Sequence, residues 1–160
     1  MSPTDPVDPM DPVDPVARLE AIEEIKTLKA RYFRFLDTKD WQAFAGLFAP
    51  DAVMDMAEAA GGVPAADATS RGPQEIADYV RRAVEQMETV HHGHMPEIEV
   101  DSETTAAGVW SMEDVLRWTD RGGVTHGLHG YGHYHETYVR IGGRWLIASI
   151  RLSRLRVDMN

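Results

Sequence analysis

The sequence contains no cysteine. Disulfides, thiolate ligands and thiol nucleophiles are therefore excluded. Basic residues are scarce: 16 Lys and Arg stand against 26 Asp and Glu, a formal charge of −10 over 160 residues. The excess is confined to residues 1–100, which hold 19 acids and 9 bases, whereas residues 101–160 hold 7 of each. Such a surface repels phosphate-rich partners, so neither nucleic acid nor an anionic membrane is the expected partner. No apolar run approaches the ~18 residues of a membrane span. The N-terminus lacks the basic-then-apolar pattern of a secretory leader, so a cytoplasmic location is the default expectation. Three families of catalytic or cofactor signature are also missing: Gly-x-Ser-x-Gly, the phosphate-cradling Gly-x-x-x-x-Gly-Lys, and a dinucleotide Gly-x-Gly-x-x-Gly before a helix. No cofactor is expected.

What is present is a chain of single-domain length, 43% hydrophobic, which suffices for a real core. Residues 1–13 repeat Asp-Pro-Val or Asp-Pro-Met and read as an arm preceding a single domain over 14–160. Asp14-Pro15 suits a helix start, Asp as cap and Pro at the first helical position. Leu19, Ile22, Ile25, Leu28, Tyr32 and Leu36 then recur every three or four residues, predicting a helix to about Asp37. Asp40 can cap a second helix carrying Trp41, Phe44, Leu47 and Phe48, ended by Pro50-Asp51. A short strand follows at 52–56. The Ala- and Gly-rich stretch 57–72 reads as a loop, with a lid over a pocket as one of its two readings. Gly72-Pro73 opens a third helix.

Beyond it, segments near 90–100, 105–118, 124–141 and 144–157 are rich in β-branched and aromatic residues. Gly122-Gly123 and Gly142-Gly143 divide the last three as hairpin turns. Three helices followed by antiparallel strands make an α+β plan, in which the helices cover one face of a curved sheet and enclose a cavity. The glycines of 127–132 lie inside a strand pattern, where they mark a bulge or a close approach.

Seven histidines stand out in what remains. His91, His92 and His94 lie where the third helix gives way to the first long strand; His126, His129, His133 and His135 lie along a later one. His133 and His135 share a strand face and could join the 91–94 group in a three-ligand metal site. A His-x-His pair is a weak signal, however, and an outer-face or interface placement is the preferred reading, with no metal. Acid–base chemistry from Tyr, Asp and His is the remaining option. Asp37, at the unfavourable C-terminal end of a helix, is either solvated or held by a partner such as histidine. Asp114 shares a strand face with Trp110, Met112 and Leu116. A carboxylate there needs a partner or a raised pKa, so a salt bridge and a catalytic role are both open.

The string Asp37-Thr38-Lys39-Asp40-Trp41, then Phe48-Ala49-Pro50-Asp51-Ala52-Val53, Thr89-Val90-His91-His92, and Gly142-Gly143-Arg144-Trp145-Leu146-Ile147 resemble the nuclear transport factor 2-like superfamily in order and spacing. Over residues 16–158 the chain resembles its SnoaL-like branch, which includes scytalone dehydratase and bile-acid 7α-dehydratase. The resemblance implies a cone-shaped α+β barrel, with three N-terminal helices packed on a curved antiparallel or mixed sheet. It further implies catalytic roles for Asp37 and His91, with His92 pointing the other way. Toward the bile-acid enzyme it extends to Tyr32 and Asp114. Scytalone dehydratase differs more: its pocket tyrosines fall at Leu36 and Met56. A homodimer or higher oligomer is implied as well.

The leading functional expectation is a cofactor-independent lyase or isomerase acting on a hydrophobic oxygenated ring, a steroid or polyketide. His91 serves as base, Asp37 as its orienting partner, Tyr32 as donor to a carbonyl and Asp114 as a second acid or base. Phe33, Trp41, Met56, Trp110, Met112 and Tyr134 are the expected pocket lining. The rivals are a non-catalytic small-molecule binder and an accessory oxygenase subunit using the same fold.

Overall fold

The computed structural model describes residues 13–59 and 68–160. The arm at 1–12 and residues 60–67, in the middle of the stretch read as a loop or a lid, lie outside the described residues. Helix α1 runs Pro15–Asp37. It starts where its cap chemistry dictates: the Asp14 carboxylate accepts from the Val16 and Ala17 amides at 3.1 and 3.0 Å. Its buried face is Ala21, Ile25, Leu28, Lys29, Tyr32 and Leu36. Helix α2 is short, Trp41–Ala45, with Asp40 accepting from the Ala43 amide.

The second helix was expected to continue through Phe48. Instead strand β1 spans Phe48–Asp55. Leu47, Phe48 and Ala49 are consecutive buried residues, and no single helix face can bury three in a row. A three-residue strand β2, Thr69–Arg71, lies within the stretch expected to be loop. Helix α3, Pro73–Val84, follows Gly72, whose φ of 76° is a conformation glycine adopts without strain.

Four long strands complete the chain: β3 Glu88–Val100, β4 Thr105–Thr119, β5 Thr125–Ile141 and β6 Arg144–Met159. Gly142 and Gly143, at φ 57° and 78°, make the tight β5–β6 turn that needs left-handed residues at both positions. The sheet is mixed, in the order β2-β1-β6-β5-β4-β3. Only the β1–β6 pairing is parallel. Its two edges, β2 and β3, do not pair, so it is not a closed barrel. Register shifts at Gly93/Pro96 and Tyr131/Gly132 mark bulges, which bend strands and increase twist.

Alternation sorts the sheet's two faces. On β5, Leu128, Gly130, Gly132, Tyr134, Glu136 and Tyr138 are buried, and on β4 Trp110, Met112 and Asp114. These face α1, and Trp110, Met112, Tyr134 and Tyr138 among them join an apolar core that includes Ile25, Phe44, Met54, Ile76, Ile147 and Ile150. Each such side chain contributes about 1.5–3 kcal/mol through burial.

Candidate active site

The end of α1 and the start of β3 meet at Asp37. Thr38 closes the helix, and Lys39 takes a left-handed φ of 61°, which turns the chain sharply after the carboxylate. Lys39 Nζ donates to Thr89 Oγ1 at 2.8 Å, and Thr89 Oγ1 donates to Asp37 Oδ1 at 2.9 Å. The His91 amide donates to Asp37 Oδ2 at 2.9 Å, and His91 Nδ1 stands 2.7 Å from Oδ1. Burial alone pushes the Asp37 carboxyl upward, but the two hydrogen bonds from His91, its charge and the Thr89 hydroxyl hold it below the usual carboxylate range. In the neutral imidazole, a carboxylate at Nδ1 favours the tautomer that carries its proton there and presents the Nε2 lone pair. That is the arrangement of an oriented general base.

His91 lines a cavity of about 250 Å³. Its walls come from α1 (Tyr32, Leu36), the segment after β1 (Met56, Ala59), α3 (Tyr79, Val80, Ala83, Val84), and the sheet (Leu116, Leu128, Leu152). Four polar groups join His91 there: Asp114, Arg154, Tyr32 and Tyr134. Asp114 is buried, and Arg154 grips it with two parallel bonds, Nη1 to Oδ1 at 2.8 Å and Nη2 to Oδ2 at 2.7 Å. Arg154 Nε donates to the Ala59 carbonyl at 3.0 Å, and Nη1 also approaches Met112 Sδ at 3.7 Å. With five N–H donors in the guanidinium, a second Nη2 hydrogen finds no acceptor among the described residues. A larger groove of about 420 Å³, around Glu24, Arg31 and Trp145, has no histidine in its lining.

Two tyrosines complete the polar end. Burial, then Tyr134 and the Glu136 charge, push the Tyr32 hydroxyl well above the usual phenol range. Burial first, then the Asp114 charge, does the same to Tyr134. Both therefore stay protonated, and a hydrogen bond between the two hydroxyls contributes to the shifts. Their rings pack edge to face, centroids 5.9 Å apart.

The structure places Tyr32, Met56, His91, Asp114 and Tyr134 on one cavity, with Asp37 hydrogen-bonded to His91. It corrects four lining expectations, because Phe33, Trp41, Trp110 and Met112 are not cavity walls. Trp110 points into the core and donates from Nε1 to Tyr138 Oη at 2.8 Å. Met112 lies behind Arg154. Trp41 packs edge-on against Phe44. Phe33 lies parallel to the His91 ring, 6.5 Å between centroids, and presses on Gly93. Asp114 is an ion-pair partner here, the first of its two open readings.

Sequence reasoning missed Arg154. Strand alternation puts Arg151 and Ser153 outward and Arg154 inward with Ile150 and Leu152, ahead of the register shift at Tyr131/Gly132. The signal was also available indirectly, since a buried Asp114 needs a cation on a neighbouring inner face. The other histidines do not join His91. His92 and His129 approach Glu113 on the opposite face, and His135 bonds Ser153 there. His133 and His135 therefore cannot share a ligand set with His91. Among the described residues no group of three His, Asp or Glu is arranged to hold a metal ion.

An α+β cone whose helix-covered sheet face holds an oriented His–Asp pair in a mostly apolar cavity defines the class of protein. The family follows from comparison: residues 17–151 match the SnoaL-like domain, and the chain belongs to that family, within the nuclear transport factor 2-like superfamily. It is 27% identical over 129 residues to "Probable cyclase FGR4" of Gibberella zeae, spanning 79% of this chain and 85% of that one. Among solved structures it superposes on a scytalone dehydratase-like protein of Novosphingobium aromaticivorans with a TM-score of 0.75, at 21% identity and 89% coverage of both chains. It also superposes on the hexachlorocyclohexane dehydrochlorinase LinA-type3 of Novosphingobium barchaimii with a TM-score of 0.75, at 18% identity, covering 92% of this chain and 94% of that one. At these identities the solved structures establish the fold. No helix among the described residues is long and apolar enough to cross a membrane.

Proposed function

We propose that this chain is a cofactor-independent lyase or isomerase, of the dehydratase type, acting on a hydrophobic oxygenated ring. The observation that carries the reading is the His91–Asp37 pair, 2.7 Å apart at the wall of a cavity. In the proposed step His91 Nε2 removes a proton α to a substrate carbonyl. The C–H electron pair moves toward the carbonyl oxygen, and Asp37 stabilises the imidazolium that forms. Tyr32, Tyr134 and the Arg154 guanidinium supply donors where negative charge develops, a contribution of about 10²–10³ in rate for each well-placed donor. Collapse of the enolate expels a β-hydroxyl, which leaves as water after protonation by the imidazolium. Return of the proton to another carbon gives isomerisation instead.

The cavity sits below the usual range of roughly 300–1,000 Å³ for small-molecule pockets. This favours a substrate of one or two rings, of polyketide type, over a four-ring steroid. A non-catalytic binder needs no oriented base, and an accessory subunit needs no open cavity, so both rivals fit less well. A homodimer through the outer sheet face is part of the proposal and is checked by light scattering.

The test is a mass-spectrometric screen of hydroxy-ketone polyketides and steroids, free and thioester-linked, for loss of 18 Da (one water), with an isomer-resolving separation alongside. His91→Ala and Asp37→Asn should each lower turnover by about 10²–10⁴ while ligand binding and circular dichroism stay unchanged. Undiminished turnover in both variants would refute the dyad.

A further inference from the structure

One buried charge pair takes no part in the proposed chemistry. Lys29 lies on the inner face of α1, one turn before Tyr32, and Nζ donates to Glu136 Oε1 on β5. Lys29 is 1% exposed and Glu136 3%. The other carboxylate oxygen accepts from Tyr138 Oη, which in turn accepts from Trp110 Nε1. The ammonium is caged by aromatic faces: Nζ lies 3.8 Å from the centroid of the Tyr134 ring, 4.0 Å from Tyr32 and 4.9 Å from Phe33. Burial lowers the Lys29 pKa, and the charge and hydrogen bond of Glu136 oppose that fall.

A buried ion pair is poor glue, because the cost of desolvating two charges offsets most of their attraction. Its location says more. Two of the three rings against Nζ are phenols that line the cavity together with His91 and Arg154.

We infer that Lys29 and Glu136 form a positioning unit for the phenol wall of the cavity. The pair pins the Tyr32 and Tyr134 rings by their faces. Nζ lies against both ring faces while the Glu136 carboxylate raises both phenols, so the pair acts on the hydroxyls through where it holds the rings and not through its net charge. Glu136 keeps the lysine charged and is itself anchored by Tyr138. The inference deepens the proposed function and rests on that reading of the cavity. The other charged groups facing this wall are Asp114 from β4 and Arg154 from β6, and the substitutions below leave both in place.

The experiment uses 2-naphthol, a two-ring phenol whose neutral and anionic forms differ in fluorescence. The pH at which the bound naphthol is half-ionised reports how well the cavity stabilises an oxyanion. Two routes remove the pair. Lys29→Met with Glu136→Gln leaves an acceptor for Tyr138. Glu136→Gln alone lets Lys29 shed its proton rather than keep an unpaired charge. Both variants should raise the half-ionisation pH by about one unit, a tenfold loss of oxyanion preference, with unchanged near-ultraviolet circular dichroism. Tyr32→Phe should raise it too. If Tyr32→Phe raises it and neither pair variant does, the inference falls and the acid–base reading stands. If 2-naphthol does not bind, or no variant moves the midpoint, the cavity reading fails and the inference with it. Loss of the near-ultraviolet signal in both pair variants makes the pair core structure and overturns the positioning role.

Discussion

Asp37 accepts from three donors, the His91 amide, the His91 ring and the Thr89 hydroxyl, and this carries a pH signature. Its carboxyl binds a proton less readily in the folded chain than in the unfolded one, where it titrates near about 3.9. The stability it contributes is therefore fully present above that value and is lost as pH falls through the lower folded-state pKa. Urea midpoints taken from pH 6 down to pH 3 should show a shallower acid limb for Asp37→Asn than for the parent; equal slopes would contradict this account. Arg154 makes a second prediction. Both members of its pair with Asp114 are buried, at 6% and 5% side-chain exposure. Arg154→Met leaves a carboxylate stranded among apolar walls, at a cost of about 3–5 kcal/mol by urea denaturation. Adding Asp114→Asn should recover much of that loss.

Strand β5 gives up side chains where the site needs room. A Cβ at Gly130 would stand 2.3 Å from both Arg154 Nη1 and Asp114 Oδ1. Gly130→Ala should therefore displace the ion pair, cost about 1–3 kcal/mol and reduce turnover. Gly127→Ala, whose nearest neighbour lies at 3.8 Å, should do neither, so thermal melts and turnover of the two variants form an internal control. The glycines of 127–132 were legible in the sequence as a bulge or close approach, and they are both. Helices α1 and α3 and the two Gly-Gly hairpins were legible too, because capping and turn chemistry are local. The start of β1 was not. Trp41, Phe44, Leu47 and Phe48 keep a helical period by coincidence, and only the parallel partner β6, about a hundred residues on, makes Phe48 a strand residue. Lys29 was passed over for a related reason. A lone lysine on a helix reads as solvated until Glu136 is seen opposite it. The Asp37–His91 contact was reached through resemblance, since nothing local ties residues 54 positions apart.

At the scale of the molecule, the sheet is a frame with two unpaired edges and with helices packed on one face. Every polar pair of the site bridges that join or crosses the sheet: Asp37 with His91, Asp114 with Arg154 at 40 residues' separation, and Lys29 with Glu136 at 107. None of them forms within a single helix or hairpin. Far-ultraviolet circular dichroism can therefore recover during refolding while the cavity does not yet exist. On dilution from urea, 2-naphthol binding should return with the last near-ultraviolet phase and not with the first far-ultraviolet one; binding that precedes tertiary packing would be inconsistent with this construction. The separation of 107 residues also has a meaning on the ribosome. α1 emerges early with Lys29 already on its apolar face, and its counter-charge is synthesised only after most of the chain has left the tunnel. At about 5–20 residues per second, that lysine waits at least several seconds for Glu136. During synthesis α1 is a helix whose apolar face still carries an unmatched, hydrated charge, which delays its burial until the strand that completes the cavity arrives.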